Sequence, residues 1–451
     1  MNKEPKVSDP HRNKSLAAAL LGSLLLAGLV WASSPGVWQS QPAKSKLAPY
    51  QLKLARQGVD TSENEIAFYR KRIQQNPDGF LDLVSLAEAY LRKARSSGES
   101  GWYLLAQQAA NRSLASFDNP GARMVLAQIA MARHDFAEAL SLSRQIARVQ
   151  PANLGVQANY VTIYLATGEP AQALAAAEIL VKRAPGLDSY VQRGLANAGL
   201  GRFQAAEADF LHAIEREQPG QLNASALARS WLGRLYARHN QLDQAEDLYR
   251  EALRIQPRQP VALGLMADLQ MRRARWQQAE ELYAEAHARS QAPVYLIGRA
   301  RARSATDTRS AGELWQAAET ALRRDLQGGS FGHRRDLARL LLEHQNNWRE
   351  ALSLMQAELK IRHDPETLNL MAWSLGRAGR WPEARQVLQR ALTQGGQDAE
   401  LLYRAAETEK ALGHAPEAEA FLQQARERDP GFAADPAYQA FQTAFRGQNA
   451  S

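Results

Sequence analysis

Along most of this chain, apolar and polar residues recur with the 3.6-residue period of an amphipathic helix. From residue 62 onward, leucine, alanine, valine and tyrosine fall at three- and four-residue spacings. Short polar turns separate these stretches, and prolines close them in pairs. The pattern predicts an all-α chain built from helical hairpins. Ser62-Glu63-Asn64-Glu65 reads as a capping box, opening a helix that runs to about Gln75 before Pro77. One stretch breaks the pattern. Leu16 to Ala32 is apolar on every face and carries no charge.

Aligning the proline-terminated segments gives a repeat near 34 residues. Residues 226–259 are the clearest copy, with Leu232-Gly233, Tyr236, Ala245, Tyr249, Ala252 and Pro257 at repeat positions 7, 8, 11, 20, 24, 27 and 32. Small residues at 8 and 20 let two helices approach, large ones at 7, 11 and 24 fill the space between them, and proline ends the second helix. The frame continues through Leu126-Ala127 and Ala139, through Gly168 and Ala173, and through Gly194, Ala206 and Phe210. It returns at Met266-Ala267 and Ala279, at Met371-Ala372 and Ala384, and at Ala418. With these residues the chain resembles the tetratricopeptide-repeat (TPR) family, over about residues 63–432. The resemblance implies a right-handed superhelical solenoid, in which each repeat buries its apolar face only against its neighbours. In Leu86–Leu114, in Ala132–Ala137 and in Ala184–Tyr190, the chain also resembles a group of bacterial membrane-anchored or exported TPR proteins.

The expected organisation is a basic tail over 1–14, a signal-anchor helix over 15–33 and a tether over 34–61. An N-terminal helix and first repeat with a long turn follow over 62–119, then a central array over 120–293. A degenerate repeat occupies 294–331, where the frame is lost and Gly328-Gly329 interrupts. C-terminal repeats fill 332–432, and a capping helix with a tail fills 433–451.

The seventeen residues from Leu16 to Ala32 make a helix of about 25 Å, close to the roughly 30 Å of a bilayer core. Lys3, Lys6, Arg12 and Lys14 precede it, and no Lys or Arg follows until Lys44. The positive-inside rule therefore places the N-terminus in the cytoplasm and the repeats outside it. Two readings stay open: a single-pass anchor in the inner membrane, or a signal cleaved near Ala32 that leaves a secreted or periplasmic protein. With the topology reversed, the repeats would form a cytoplasmic adaptor.

The absence of cysteine excludes disulfides, thiolate metal sites and cysteine nucleophiles. The net charge is +8, and residues 254–340 contribute +6 of it through fifteen arginines against nine carboxylates. An anionic polymer could dock on this arginine-rich middle. Nucleic acid is disfavoured, because no aromatics interleave the basic residues. His134, His239 and His414 fall in turns of separate repeats and read as solvated. No catalytic motif, metal-ligand spacing or cofactor loop occurs, so neither enzyme activity nor a cofactor is expected.

The resemblance implies that helix A positions 2, 5, 9, 12 and 13 of each repeat line a concave groove. They include Gln128, Thr162, Arg234, Arg238, Asp268, Arg272, Asn369, Trp373, Arg377, Tyr403 and Glu407. Position 9 reads Gln128, Thr162, Leu195, Arg234 and Asp268, so the chaperone-type carboxylate clamp is absent. Arg, Trp and Tyr anchors suit protein or peptide recognition. The expectation is a protein-binding scaffold or assembly factor for an envelope complex, tethered by residues 15–33. The alternative is an accessory protein in envelope polysaccharide or polymer export.

Overall fold

The computed structural model describes residues 62–97, 100–327, 333–396 and 398–430. The signal-anchor stretch, the tether and the expected C-terminal capping helix lie outside these residues. Among the described residues every regular element is helical. Helix α1 (Ser62–Gln75) leads into ten antiparallel hairpins. The first five are α2/α3 (Phe80–Ser97, Ser100–Ser116), α4/α5 (Pro120–Ala132, Phe136–Val149), α6/α7 (Leu154–Thr167, Pro170–Arg183), α8/α9 (Leu187–Gly199, Phe203–Glu215) and α10/α11 (Leu222–Arg238, Leu242–Ile255). The sixth to eighth are α12/α13 (Pro260–Arg272, Trp276–Ser290), α14/α15 (Pro293–Ser304, Thr308–Gln327) and α16/α17 (Arg334–Leu340, Trp348–Glu358). The last two are α18/α19 (Pro365–Arg377, Trp381–Thr393) and α20/α21 (Ala399–Ala411, Ala415–Arg428).

Local chemistry sets the boundaries. Asn119, Asn153, Asp364 and Asp398 each accept a hydrogen bond from a backbone N–H of the helix they open. These bonds satisfy donors that the helix itself leaves orphaned. Pro120, Pro260, Pro293 and Pro365 stand at helix starts, where the missing N–H costs nothing. Eight of the hairpins turn through one left-handed residue. It is glycine at 168, 201, 379 and 413, but His134, Asn240, Ala274 and Asn346 elsewhere.

One expectation changes. The Arg95–Gly101 stretch does not simply lengthen a turn, because α2 runs on to Ser97 and α3 already begins at Ser100. Most of the hairpin α14/α15 falls in the segment 294–331, where the repeat frame is lost in the sequence. Gly298 faces the Tyr283 ring, and Ala311, Trp315 and Ala318 are buried. The frame was hidden because α15 extends to twenty residues, which displaces the interruption past its end.

Within a hairpin the packing follows the small–large rule. A Cβ on Gly233 would sit 2.6 Å from the Tyr249 ring. Packing also runs between distant repeats. The A–B turn of the third hairpin, at Gly168, touches the chain after the eighth: a Cβ there would lie 2.6 Å from the His363 carbonyl oxygen. The turn of the fourth, at Gly199–Gly201, abuts Gly395 after the ninth. The turn of the fifth, at His239, lies 3.5 Å from Arg428 at the end of the tenth, 189 residues away. Ile361 packs into the cluster of Ala130, Met131, Phe136 and Ile163. The superhelix thus completes a turn in between five and six hairpins, and the next turn rests on its edge. The concave face becomes the wall of a narrow bore.

Candidate binding cleft

Closure of the superhelix sorts the expected groove residues. Gln128 and Thr162 are buried. Gln128 accepts from Arg95 at 3.0 Å, and the Thr162 hydroxyl donates to the Ala158 carbonyl of its own helix. Trp373, Arg377 and Tyr403 are also buried. The Arg404 guanidinium covers the Trp373 ring at 4.1 Å, and Arg377 donates to Asn346. Trp373, Arg377 and the half-buried Glu407 line a small crevice with Trp381 and Arg404. Arg234, Arg238, Asp268 and Arg272 remain accessible, on the inner faces of α10 and α12.

Across the bore from α10 stand α16, α18 and α20. Together they form a cleft of about 250 Å³, lined by Arg234, Arg238, Arg272, Arg339, Glu366, Asn369, Asp398, Ala399, Glu400, Arg428 and Asp429. Sequence spacing brought the first three together and included Asn369. It missed Arg339, Glu366, Asp398 and Glu400. Glu366 and Glu400 occupy repeat position 2 in consecutive repeats, and that periodicity was the available signal.

The cleft is dense in paired charge. Arg272 meets Asp429 at 2.6 Å and donates to the Ala237 carbonyl at 2.5 Å. Arg339 meets Glu400 at 3.3 Å, Glu343 at 3.7 Å and Glu366 at 3.8 Å. Arg301 donates to Glu343 at 2.8 Å, so one ladder of ion pairs climbs the inner wall from α14 to α20. Such pairs in a desolvated wall set geometry more than they add stability. Asp398 caps α20 through the Leu401 N–H at 2.8 Å, and burial pushes its carboxyl up.

Enclosure shifts the accessible groups too. Asp268 has ample surface open to the bore, yet protein surrounds it on the wider scale that governs desolvation. Burial therefore raises its carboxyl, although Tyr283 donates to it at 2.5 Å and Arg234 and Arg301 act against the shift. The Arg238 guanidinium falls to about 9 through burial, reinforced by Arg234 beside it and opposed by Asp398 and Glu366. His239, expected to be solvated, packs at a tilt against Phe203 with ring centroids 4.1 Å apart. Burial, with Arg428 and Arg238 nearby, lowers it to about 4. His134 is pushed well below its usual value by burial, with Arg362, His333 and Arg335 adding to the shift.

The arginine-rich middle is largely engaged. Arg299 and Arg303 converge on Glu280, Arg323 meets Glu319 at 2.7 Å and Glu350 at 2.6 Å, and Arg258 meets Glu285 at 2.7 Å. Among the described residues no three His, Asp or Glu side chains converge at metal-binding distance. Among those same residues no helix is long and apolar enough to cross a membrane.

Paired antiparallel helices stacked into a superhelix, with charged residues on the inner wall, define the class: a helical-repeat solenoid. Tetratricopeptide-repeat models match residues 130–198, 199–260, 335–369 and 377–445, more than half of the chain, and the protein belongs to that family. No curated protein matches the sequence. Among solved structures, the APC/C hetero-tetramer Cut9–Hcn1 is similar at 15% identity over 84% of this chain, with a TM-score of 0.47. This chain spans 66% of that one, just under two-thirds of its length. The human IFIT1 dimer with m7Gppp-AAAA is similar at 16% identity, covering 81% of this chain and 86% of that one, with a TM-score of 0.45. A tetratricopeptide repeat protein from Parabacteroides merdae is similar at 14% identity, covering 57% and 98%, with a TM-score of 0.33.

Proposed function

We propose that this chain is a protein-binding scaffold or assembly factor for a bacterial envelope complex, tethered to the inner membrane by the helix over residues 15–33. The observation that carries the reading is the cleft on the inner wall. There Arg234 and Arg238 stay accessible, as does Asp268 on α12 outside the cleft lining, while most other groove positions are packed away. Accessible guanidinium and carboxylate groups on a rigid curved wall suit recognition of a charged segment of a partner. Tethering raises the partner's effective concentration at the membrane. The location rests on the uncharged run from Leu16 to Ala32 and the basic residues before it. The pairing of arginines in 254–340 disfavours polymer export as the role, since few of them are left to meet a polyanion.

A labelling enzyme fused at Ser451, active only outside the cytoplasm, tests the reading in intact bacteria. The expected result is labelling of a reproducible set of envelope proteins, lost when Arg234 and Arg238 are reversed to glutamate. Labelling only by a cytoplasmic version of the fusion would overturn the topology and favour the adaptor. A protein set unchanged by the reversal would overturn the role of the cleft.

A further inference from the structure

The residues lining the 250 Å³ cleft divide into those with partners and those without. Glu400 and Glu366 are held by Arg339, Asp429 by Arg272, and Asp398 by the N-terminus of α20. Their negative charge is already committed. Arg238 is different. Among the described residues it makes no hydrogen bond and no ion pair, and its half-buried side chain lines the cleft. Asn369 on α18 is different in the same way. It is 2% exposed, and its Oδ1 has no hydrogen-bond partner. Its Nδ2 donates to no group of the described residues either, so both ends of the amide are unpaired and a donor is left over whichever way the amide is placed. A buried polar group is normally paired, and an unpaired guanidinium lining an enclosed cleft presents its N–H groups to an anion.

We propose that this cleft binds a small oxyanion, whose oxygens accept hydrogen bonds from the Arg238 guanidinium and the Asn369 side-chain amide. The two parallel N–H groups of a guanidinium match the oxygen spacing of a carboxylate or a phosphate. A cationic ligand would meet Arg234, Arg238, Arg272, Arg339 and Arg428, and a neutral one would leave the Arg238 N–H groups without a charged acceptor. The volume lies below the usual range of small-molecule pockets, which limits the occupant to a free anion, a small acid or the anionic end of a longer molecule. The site joins α10 of the fifth hairpin to α18 of the ninth, so it exists only when the superhelix is closed. An occupant would hold the two turns together. The inference shares residues with the scaffold reading but needs no protein partner.

Titration calorimetry on the purified full-length chain at low ionic strength tests it, with inorganic phosphate and succinate as separate probes. The expected result is saturable one-site binding of at least one probe. Arg238→Met should weaken it by about 10-fold or more, Asn369→Leu should weaken it clearly, and Arg254→Met on the outer face should leave it unchanged. Arg238→Lys, which keeps the charge but loses the fork, should fall between parent and Arg238→Met. Should Arg238→Met not fold, Asn369→Leu and Arg238→Lys carry the comparison. Tighter phosphate binding points to a phosphate or phosphate ester as the natural occupant, and tighter succinate binding to a carboxylate. No saturable binding of either probe, or binding indifferent to the cleft variants, would overturn the site. Either failure leaves the scaffold reading to its own labelling test.

Discussion

Ala274 holds a left-handed backbone, φ 54°, at the turn position where four other hairpins place glycine. For a residue with a Cβ this conformation costs about 1–2 kcal/mol. Ala274→Gly relieves it, less the entropy that glycine gains in the unfolded chain, and should raise stability by about 1 kcal/mol in urea unfolding. Gly233 makes the opposite case. With Tyr249 so close, Gly233→Ala should cost about 1–3 kcal/mol and lower the melting temperature. Gly233 was legible in the sequence, because the repeat frame puts a small residue where two helices cross. Ala274 was not. Its strain comes from a turn geometry that four other hairpins advertise with glycine and this one does not.

At the level of elements, the helices and most of their ends were readable from caps, prolines and apolar spacing. The ion pairs that fasten them were not. Arg229 on α10 is completely buried, between Glu217 at 2.6 Å and Glu251 on α11 at 3.0 Å. Arg229→Met would strand two carboxylates and should destabilise the chain by about 3–5 kcal/mol. Asp188, in the first turn of α8, shows the converse. It is buried, its Oδ1 lacks a hydrogen-bond partner, and burial raises its carboxyl to about 6 from the 3.8 of an unhindered group. The folded state therefore holds this proton more tightly than the unfolded state does. The resulting stabilisation is fully present below pH 3.8 and is lost as the pH rises through 6. Asp188→Asn should be more stable than the parent at neutral pH, by about 2 kcal/mol, and the advantage should shrink towards pH 4 in chemical denaturation.

For the whole molecule, the decisive feature is that one superhelical turn rests on the next. Asp429→Lys would set a cation against Arg272, and should enlarge the radius of gyration in solution scattering while leaving the helical content intact. The seam should also be acid-sensitive. His239 stays neutral in the folded chain down to about pH 4, whereas the unfolded chain takes up the proton near 6.5. Its contribution is present above 6.5 and is lost as the pH falls towards 4. Stability should therefore decline across that window, and less steeply in His239→Gln, as followed by thermal unfolding at a series of pH values. The groove was only partly readable at this scale. The inner-wall spacing selected Arg234, Arg238, Asp268 and Arg272, which remain accessible, but equally Gln128, Thr162 and Tyr403, which are buried.

The sequence by itself determined the helical hairpin, its length of about 34 residues, the small residues at its crossing and the family to which it belongs. All of these depend on contacts between residues within one repeat or in adjacent ones, and such contacts leave a periodic mark. Only the tertiary structure decided that the bore closes, that His239 meets Arg428, and that Arg238 and Asn369 share one cleft. Those contacts arise from a small rotation per repeat, summed over five or more hairpins. No single repeat records that sum, because each one constrains only its neighbours.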